Sequence, residues 1–446
     1  MDVIQFEDKN LAHYSYSIIS NGEIAVIDPS RNPQPYYDLA KEHNASIVAV
    51  IETHPLADFV SSHLEIHKTT GAPIYVSKFL GADYKYKSFD NGDTIKIGDV
   101  ILEALNTPGH SPDSICIVAS NEEGKKEAVF TGDTLFIGDC GRPDLRESAG
   151  SLTAPRKELA KKMYHSLRDQ LMSLPENVMV YPAHGAGSLC GRGLSDKNSS
   201  TIGIEKASNW CLQELTEEDF VNELLKNQPF VPKYFTYEVG LNKKGAENFA
   251  EAIAKVTISD EAPSVLKEYP VIDTRNESDF KKGFIKNSFN LMDDAKFETW
   301  LGSIIAPGEK FYLTAESKNQ LQSLIERVAK IGYEGQIEQA FVLKETSGET
   351  IKPFDPDHFR DFPDAYTVLD ARNPSEIKEL VYFNDSINIP LYELRERVNE
   401  IPLNKPIVVH CAGGYRSAAA ASILEKHLNG DTEIFDMGEA IKTFTE

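Results

Sequence analysis

No stretch of this 446-residue chain reaches the ~18 successive apolar residues that a membrane-spanning helix requires, so no segment reads as transmembrane. A surplus of positive charge is missing too: 46 Lys and Arg stand against 69 Asp and Glu, a formal charge of −23. Phosphate backbones and anionic bilayers attract basic surfaces, so neither a nucleic-acid nor a membrane partner is expected. The start, MDVIQFEDKN, lacks the basic patch and apolar run of a secretory signal. Cysteines are few (Cys116, Cys140, Cys190, Cys211, Cys411), odd in number and widely scattered; they read as free thiols of a cytoplasmic protein. What is present is ordinary core-forming material, 41% hydrophobic and 9% aromatic, enough for two to four domains.

The first half alternates strand-like runs with longer segments. YSIIS and EIAVIDP form a hairpin pattern around Asn21-Gly22, and β-like runs follow at 46–53, 94–106, 114–120, 128–133 and 178–184. Residues 57–69 and the amphipathic stretch 152–174, with Leu159, Met163, Leu167 and Leu171 on one face, fit helices. The second half holds an internal repeat. VIDTRNESDF (271–280) matches VLDARNPSEI (368–377), KNSFNL (286–291) matches NDSINI (384–389), and FYLT (311–314) matches IVVH (407–410), at offsets of 96 to 98. Segments 246–266 and 344–362, rich in proline, read as linkers, which gives three domains: 1–245, 262–345 and 360–446.

Polar residues stand at the ends of four strand-like runs: His54, His110, Asp133 and His184. One such histidine is usually structural, whereas three histidines and an aspartate that can converge on one sheet rim point to a metal site. The motifs ETHPLADFVSSH (52–63), TPGHSPDS (107–114), FTGDTLF (130–136) and YPAHG (181–185) resemble the metallo-β-lactamase superfamily over about residues 1–240. That resemblance implies an αββα sandwich with a metal in the cleft. The first motif departs from His-x-His-x-Asp-His: Leu56 and Phe59 replace two ligand positions. A two-metal hydrolase of the glyoxalase II type needs both. His54, His110 and Asp133 survive as a two-His, one-carboxylate set, suited to a single Fe(II) with open positions for O₂ and substrate. The resemblance thus favours the persulfide dioxygenases of this superfamily. Asp58 and His184 then orient ligands or touch substrate. GDCGRPDL (138–145) and SLCG (188–191) resemble the same branch, with Arg142 holding substrate or loop and Cys190 either relaying sulfur or merely packing. Arg192 and Lys197 could meet an anionic carrier, although solvated surface is their default reading.

The loop HCAGGYRS (410–417) carries the strongest nucleophile signal. A strand runs into Cys411, then Ala412, Gly413, Gly414, Tyr415 and Arg416 lead into an Ala-rich helix that also holds Ser417. Successive backbone N–H groups of such a loop make an anion-binding nest that suits a persulfide or a sulfur oxyanion. With DARNPSE (370–376) and SINIPL (386–391) the loop resembles the rhodanese sulfurtransferases. The resemblance makes Cys411 the nucleophile, Arg416 its helper, the remaining loop residues a substrate cradle, and Asp370 and Arg372 braces. The matching loop of the first copy, LTAESKNQ (313–320), has no cysteine and carries Glu316, so that copy reads as inactive.

Together the halves resemble bacterial fusions of a persulfide dioxygenase with a sulfurtransferase: an αββα domain, then two rhodanese-like α/β domains. The implied chemistry is oxidation of a low-molecular-weight thiol persulfide to sulfite at one Fe(II) per chain, coupled to sulfur transfer through Cys411 that gives thiosulfate. The family resemblance also suggests a homodimer or homotetramer. Two other readings stay open: a glyoxalase II type thioesterase working with a single zinc, and a sulfurtransferase whose first domain is not catalytic.

Overall fold

The computed structural model describes residues 1–145, 147, 155–343, 348–428 and 430–444. They divide into two compact units, Met1–Ala252 with Ala329–Gly332, and Ile253–Val328 with Tyr333–Glu446. No described helix is long and apolar enough to cross a membrane.

The first unit is built on two six-stranded sheets. One orders β1 (Asp2–Asp8), β2 (His13–Ser20), β3 (Glu23–Ile27), β4 (Ser46–Ile51), β5 (Ile74–Val76) and β6 (Lys87–Ser88) consecutively. The other orders β7 (Thr94–Ile97), β8 (Val100–Asn106), β9 (Ile115–Ser120), β10 (Lys126–Gly132), β11 (Met179–Pro182) and β12 (Ser200–Thr201). Side chains alternate faces along a strand, and alternate residues meet between the sheets: Tyr16, Ile18, Ala25, Ile27, Ala49 and Ile51 against Leu102, Ala104, Ile115, Ile117, Ala128 and Phe130. The opposite faces are covered by helices. Ile24, Val26 and Val50 pack on Tyr36 and Leu39 of helix Gln34–Glu42 and Ile66 of helix His63–Thr70. Val118, Val129 and Val180 pack on Ala160, Met163, Leu167 and Leu171. The layers therefore run helix, sheet, sheet, helix.

Several elements differ from the sequence reading. Residues 94–106 are a hairpin, not one strand, because Gly98 turns the chain at φ +54°. The helix expected over 57–69 begins only at His63, because Asn242 holds the preceding segment as a loop, its Nδ2 donating to Leu56 O and Phe59 O and its Oδ1 accepting from Ser61 N. Of the stretch 152–174, positions 152–154 lie outside the described residues. The rest is an α-helix, Arg156–His165, that widens into a π-helical segment, Ser166–Leu171. Apolar residues spaced by four drift ~40° per step around a pure α-helix; the wider turn keeps Leu167 and Leu171 on the buried face. The segments read as linkers hold the helices Phe249–Ala254 and Pro356–Asp361, while 344–347 lie outside the described residues.

The second unit carries the repeat as two all-parallel sheets. In the first copy β13 (Ile258–Ser259), β17 (Ile337–Val342), β16 (Phe311–Ala315), β14 (Val271–Asp273) and β15 (Ser288–Asn290) lie in that order. In the second, β21 (Ile434–Asp436), β20 (Ile407–His410), β18 (Thr367–Asp370) and β19 (Ile387–Asn388) repeat the last four positions. The same hydrogen bonds recur: Arg275 clamps Asp273 and Arg372 clamps Asp370, while Asn290 Nδ2 and Asn388 Nδ2 each bridge the carbonyls of their Asp and Arg.

Candidate functional site

Strands β8, β10 and β11 run in one direction, since β9 is antiparallel to both β8 and β10 and β11 is parallel to β10. Their carboxyl ends therefore deliver His110, Asp133 and His184 to one edge of the sheet, and the end of β4 brings His54 from the other sheet. Asp133 Oδ2 lies 3.4 Å from His110 Nε2 and 3.8 Å from His54 Nε2, too far for strong hydrogen bonds and suited to donors grouped around one cation. The ligand atoms of the three residues all lie within 4.8 Å of one another, and all three residues are buried. Among the described residues Asp133 Oδ2 is buried without a hydrogen-bond partner, which fits an oxygen that ligates a cation.

Other side chains fix these three. Asp28 accepts from Thr53 N and Thr53 Oγ1, both at 2.7 Å, and Thr53 Oγ1 lies 3.0 Å from His54 Nδ1, which sets the His54 ring. Burial raises Asp28 to about 7, an effect that its bonds from Thr53 only partly offset. His184 bridges two carboxylates, with Nδ1 2.7 Å from Asp133 Oδ1 and Nε2 2.8 Å from Asp58 Oδ2. Burial disfavours its charge, but Asp133 and Asp58 more than compensate and hold it well above its ordinary value. Burial likewise opposes an ionised Asp133, and His184, His110 and His54 overcome that and hold it well below the carboxylate range. Gly141 wedges beneath: a β-carbon there would sit 2.0 Å from Asp133 O and 2.9 Å from His110 Nδ1, so only glycine fits.

In the second unit, Cys411 follows β20 and is 1% exposed. Gly414 N donates to its Sγ at 3.1 Å, with Gly414 at φ +107°, a conformation that glycine supplies cheaply. Ala412 and Gly413 are exposed at the mouth, and a β-carbon on Gly413 would meet open space.

Residues 9–184 match the metallo-beta-lactamase superfamily, and residues 355–445 match the rhodanese-like domain. The probable polyketide biosynthesis zinc-dependent hydrolase PksB of Bacillus subtilis is 30% identical over 192 residues, 42% of this chain and 78% of that one. The chain belongs to the metallo-beta-lactamase superfamily. It carries a rhodanese-like domain after the metallo-beta-lactamase domain. It is also similar to the mitochondrial persulfide dioxygenase ETHE1 of Bos taurus, at 28% identity over 242 residues, 54% of this chain and 86% of the relative. Four other curated relatives are spanned over 57–66% of their length. Among solved structures, a metallo-beta-lactamase from Staphylococcus aureus superposes with a TM-score of 0.68 at 29% identity, over 76% of this chain and 98% of that one.

Within this metallo-beta-lactamase domain, Leu56 and Phe59 pack with Leu11 into a buried apolar cluster, so no donor stands at either position. Asp58, His184 and Cys190 lie together beside the trio. Burial pushes the Cys190 thiol well above its ordinary value, and Asp133 and Asp58 add to the shift. Of the two roles expected of Arg142, holding substrate or loop, the structure shows the second. Its guanidinium is committed internally, Nε and Nη2 to Asp144 and Nη1 to the carbonyls of Leu189 and Phe230, and its own N–H donates to Cys190 O. It pins the Cys190 loop. Arg192 pairs with Glu223, and Lys197 is exposed.

Arg416, expected to help Cys411, and Tyr415 and Ser417, expected in the substrate cradle, have side chains held by internal bonds. Arg416 forms a two-pronged pair with Glu376, Ser417 Oγ donates to Gly414 O, and Tyr415 Oη donates to Met292 O. In the first copy, Glu316 and Ser317 are exposed at the matching position. Sequence reasoning missed His13, whose ring packs 3.9 Å from Phe59 and 5.6 Å from His184, with Nε2 buried and lacking a hydrogen-bond partner among the described residues. Nothing local marks it, because its neighbours lie 46 and 171 positions away.

Proposed function

We propose that this chain is a non-haem Fe(II) persulfide dioxygenase, one iron per chain, whose sulfite product receives a sulfane sulfur from Cys411 to give thiosulfate. The donor set carries the first half of this reading: two imidazoles and one carboxylate converge, while apolar Leu56 and Phe59 occupy two positions a second cation would use. Similarity to the bovine persulfide dioxygenase supports it.

Fe(II) held by His54, His110 and Asp133 would supply dioxygen activation and open positions for sulfur. The chain's own residues prepare that site. Thr53 and Asp28 orient His54, and His184 keeps Asp133 turned and ionised. Leu11, Leu56 and Phe59 keep water out. The balance is RSSH + O₂ + H₂O → RSH + HSO₃⁻ + H⁺, in which the outer sulfur loses four electrons to dioxygen. At Cys411, the sulfur attacks the outer sulfur of a second persulfide and the thiol RSH leaves. The bound sulfane sulfur, near Gly414 N–H, then passes to sulfite as thiosulfate, which frees Cys411.

Metal analysis and oxygen uptake with glutathione persulfide test this reading. About one iron per chain with persulfide-dependent oxygen uptake is expected, and His54→Ala should abolish that uptake while sulfur transfer at Cys411 persists. Zinc-loaded protein that is inert toward oxygen and persulfide overturns it. A second reading, a two-cation hydrolase, is favoured by the Asp58, His184 and Cys190 cluster and by the similarity to PksB. Two zinc ions per chain with thioester hydrolysis would establish that reading instead.

A further inference from the structure

Another buried cluster in the first unit, Asp139, Cys140 and Cys211, takes no part in the chemistry above. Cys140 lies on the loop after Asp133 and forms an isolated bridge with Leu135, and Cys211 sits in the helical turn Trp210–Leu212. Their Sγ atoms are 2.7 Å apart, and neither residue is more than 1% exposed. Cys211 Sγ also lies 3.8 Å from Asp139 Oδ1. The two segments are already stitched together. Trp210 Nε1 donates to Asp139 Oδ1 at 2.7 Å, and Asn209 Nδ2 donates to Phe136 O and Asp139 O at 3.1 Å each.

A cation site is disfavoured here. Asp139 already accepts from Trp210 Nε1, Arg192 N and Gly193 N, which fills the oxygens a metal would need. Burial pushes both thiols up, which weakens them as thiolate ligands for a cation. Two thiols in contact beside a fixed carboxylate have the parts for a different event.

We infer that Cys140 and Cys211 form a redox pair that closes to an intramolecular disulfide on meeting a small persulfide. Cys140 attacks the outer sulfur of R–S–S–H; the donor S–S bond breaks, RSH leaves, and Cys140–S–S–H forms. Cys211 then attacks the Cys140 sulfur, and its proton goes to the departing hydrosulfide, which leaves as H₂S. The sum is two thiols plus RSSH giving one disulfide, RSH and H₂S: the pair gives up two electrons and the sulfane sulfur is reduced to sulfide. Because Cys140 adjoins Gly141, the bond ties the Trp210 turn to the wedge beneath Asp133 and His110. The pair is separate from the proposed iron and Cys411 chemistry, and its test uses neither.

The full chain, reduced and then freed of reductant, is mixed with disodium disulfide without oxygen, quenched in acid, denatured, alkylated and digested. Mass spectrometry should find the peptides carrying Cys140 and Cys211 joined and lighter by two hydrogens, and reduction should separate them. The oxidised first unit should melt roughly 5–10 °C higher than the reduced one. Cys140→Ser and Cys211→Ser should each lose the joined pair. Full alkylation of both cysteines after exposure overturns the inference, as does a disulfide joining other cysteines. Both results are read on wild-type protein and hold even if a variant fails to fold.

Discussion

Gly141 has no space for a side chain, since a β-carbon there would sit 2.0 Å from Asp133 O and 2.9 Å from His110 Nδ1. Gly141→Ala must separate residue 141 from the Asp133 carbonyl by about an ångström, which moves the Asp133 and His110 ligands, and metal geometry tolerates little of that. Metal affinity should fall roughly 10–100-fold, measured by competition with a chromogenic chelator, while β-sheet content stays unchanged. Affinity equal to wild type would mean that the wedge does not position the ligands. His54, His110, Asp133 and His184 were legible in the sequence because each is polar at the end of an apolar strand. Asn242, His13 and Asp28 were not: each acts on residues far along the chain, and no periodicity announces such a contact. The choice between the two roles expected of Arg142 was hidden for a related reason. A guanidinium beside a glycine looks the same in sequence whether it faces solvent or, as here, an internal Asp144 and two carbonyls.

Strand β20 shows how an element's surroundings set the chemistry of its ends. Its last residue, His410, is fully buried against Tyr382 and Phe383, with Asp370 Oδ2 3.7 Å away. Burial pulls its pKa down to about 4, and Asp370 offsets only part of that. At pH above the ordinary ~6.5 neither the folded nor the unfolded chain protonates this ring. As pH falls from ~6.5 to ~4 only the unfolded chain takes the proton, so the second unit should lose roughly 3 kcal/mol of stability across that window and then level off. Urea melts of wild type and His410→Phe at stepped pH measure it: the variant should show a flatter dependence, and equal slopes would refute the assignment. The repeat around this strand was readable because the Asp–Arg clamp and the bridging Asn are local and recur at offsets of 97 and 98. Helix starts were less so. The loop before His63 is held by Asn242 and Glu52, the latter accepting from Ser61 Oγ, and so escapes any local pattern.

At the scale of the whole molecule, each unit has its own sheets and its own buried clusters. Phe130, Ile117 and Leu102 belong to the core of the first, and Val271, Tyr312 and Phe341 to one in the second. Independent cores unfold as separate cooperative blocks, so a ligand that binds one native unit stabilises that unit alone, by RT ln(1 + [L]/Kd). The cation donors identified here all lie in the first unit, whereas Cys411 lies in the second. Calorimetry should therefore resolve two transitions. Chelation should lower only one of them, by about 5–10 °C if the cation is present at a hundred times its Kd. Cys411→Ser should leave that metal-sensitive transition and the persulfide-dependent oxygen uptake unchanged while abolishing thiosulfate formation. A chelator that moved both transitions equally, or a Cys411→Ser protein that lost oxygen uptake while still melting normally, would show that the two chemistries share one cooperative structure, and the assignment of a separate site to each unit would fall.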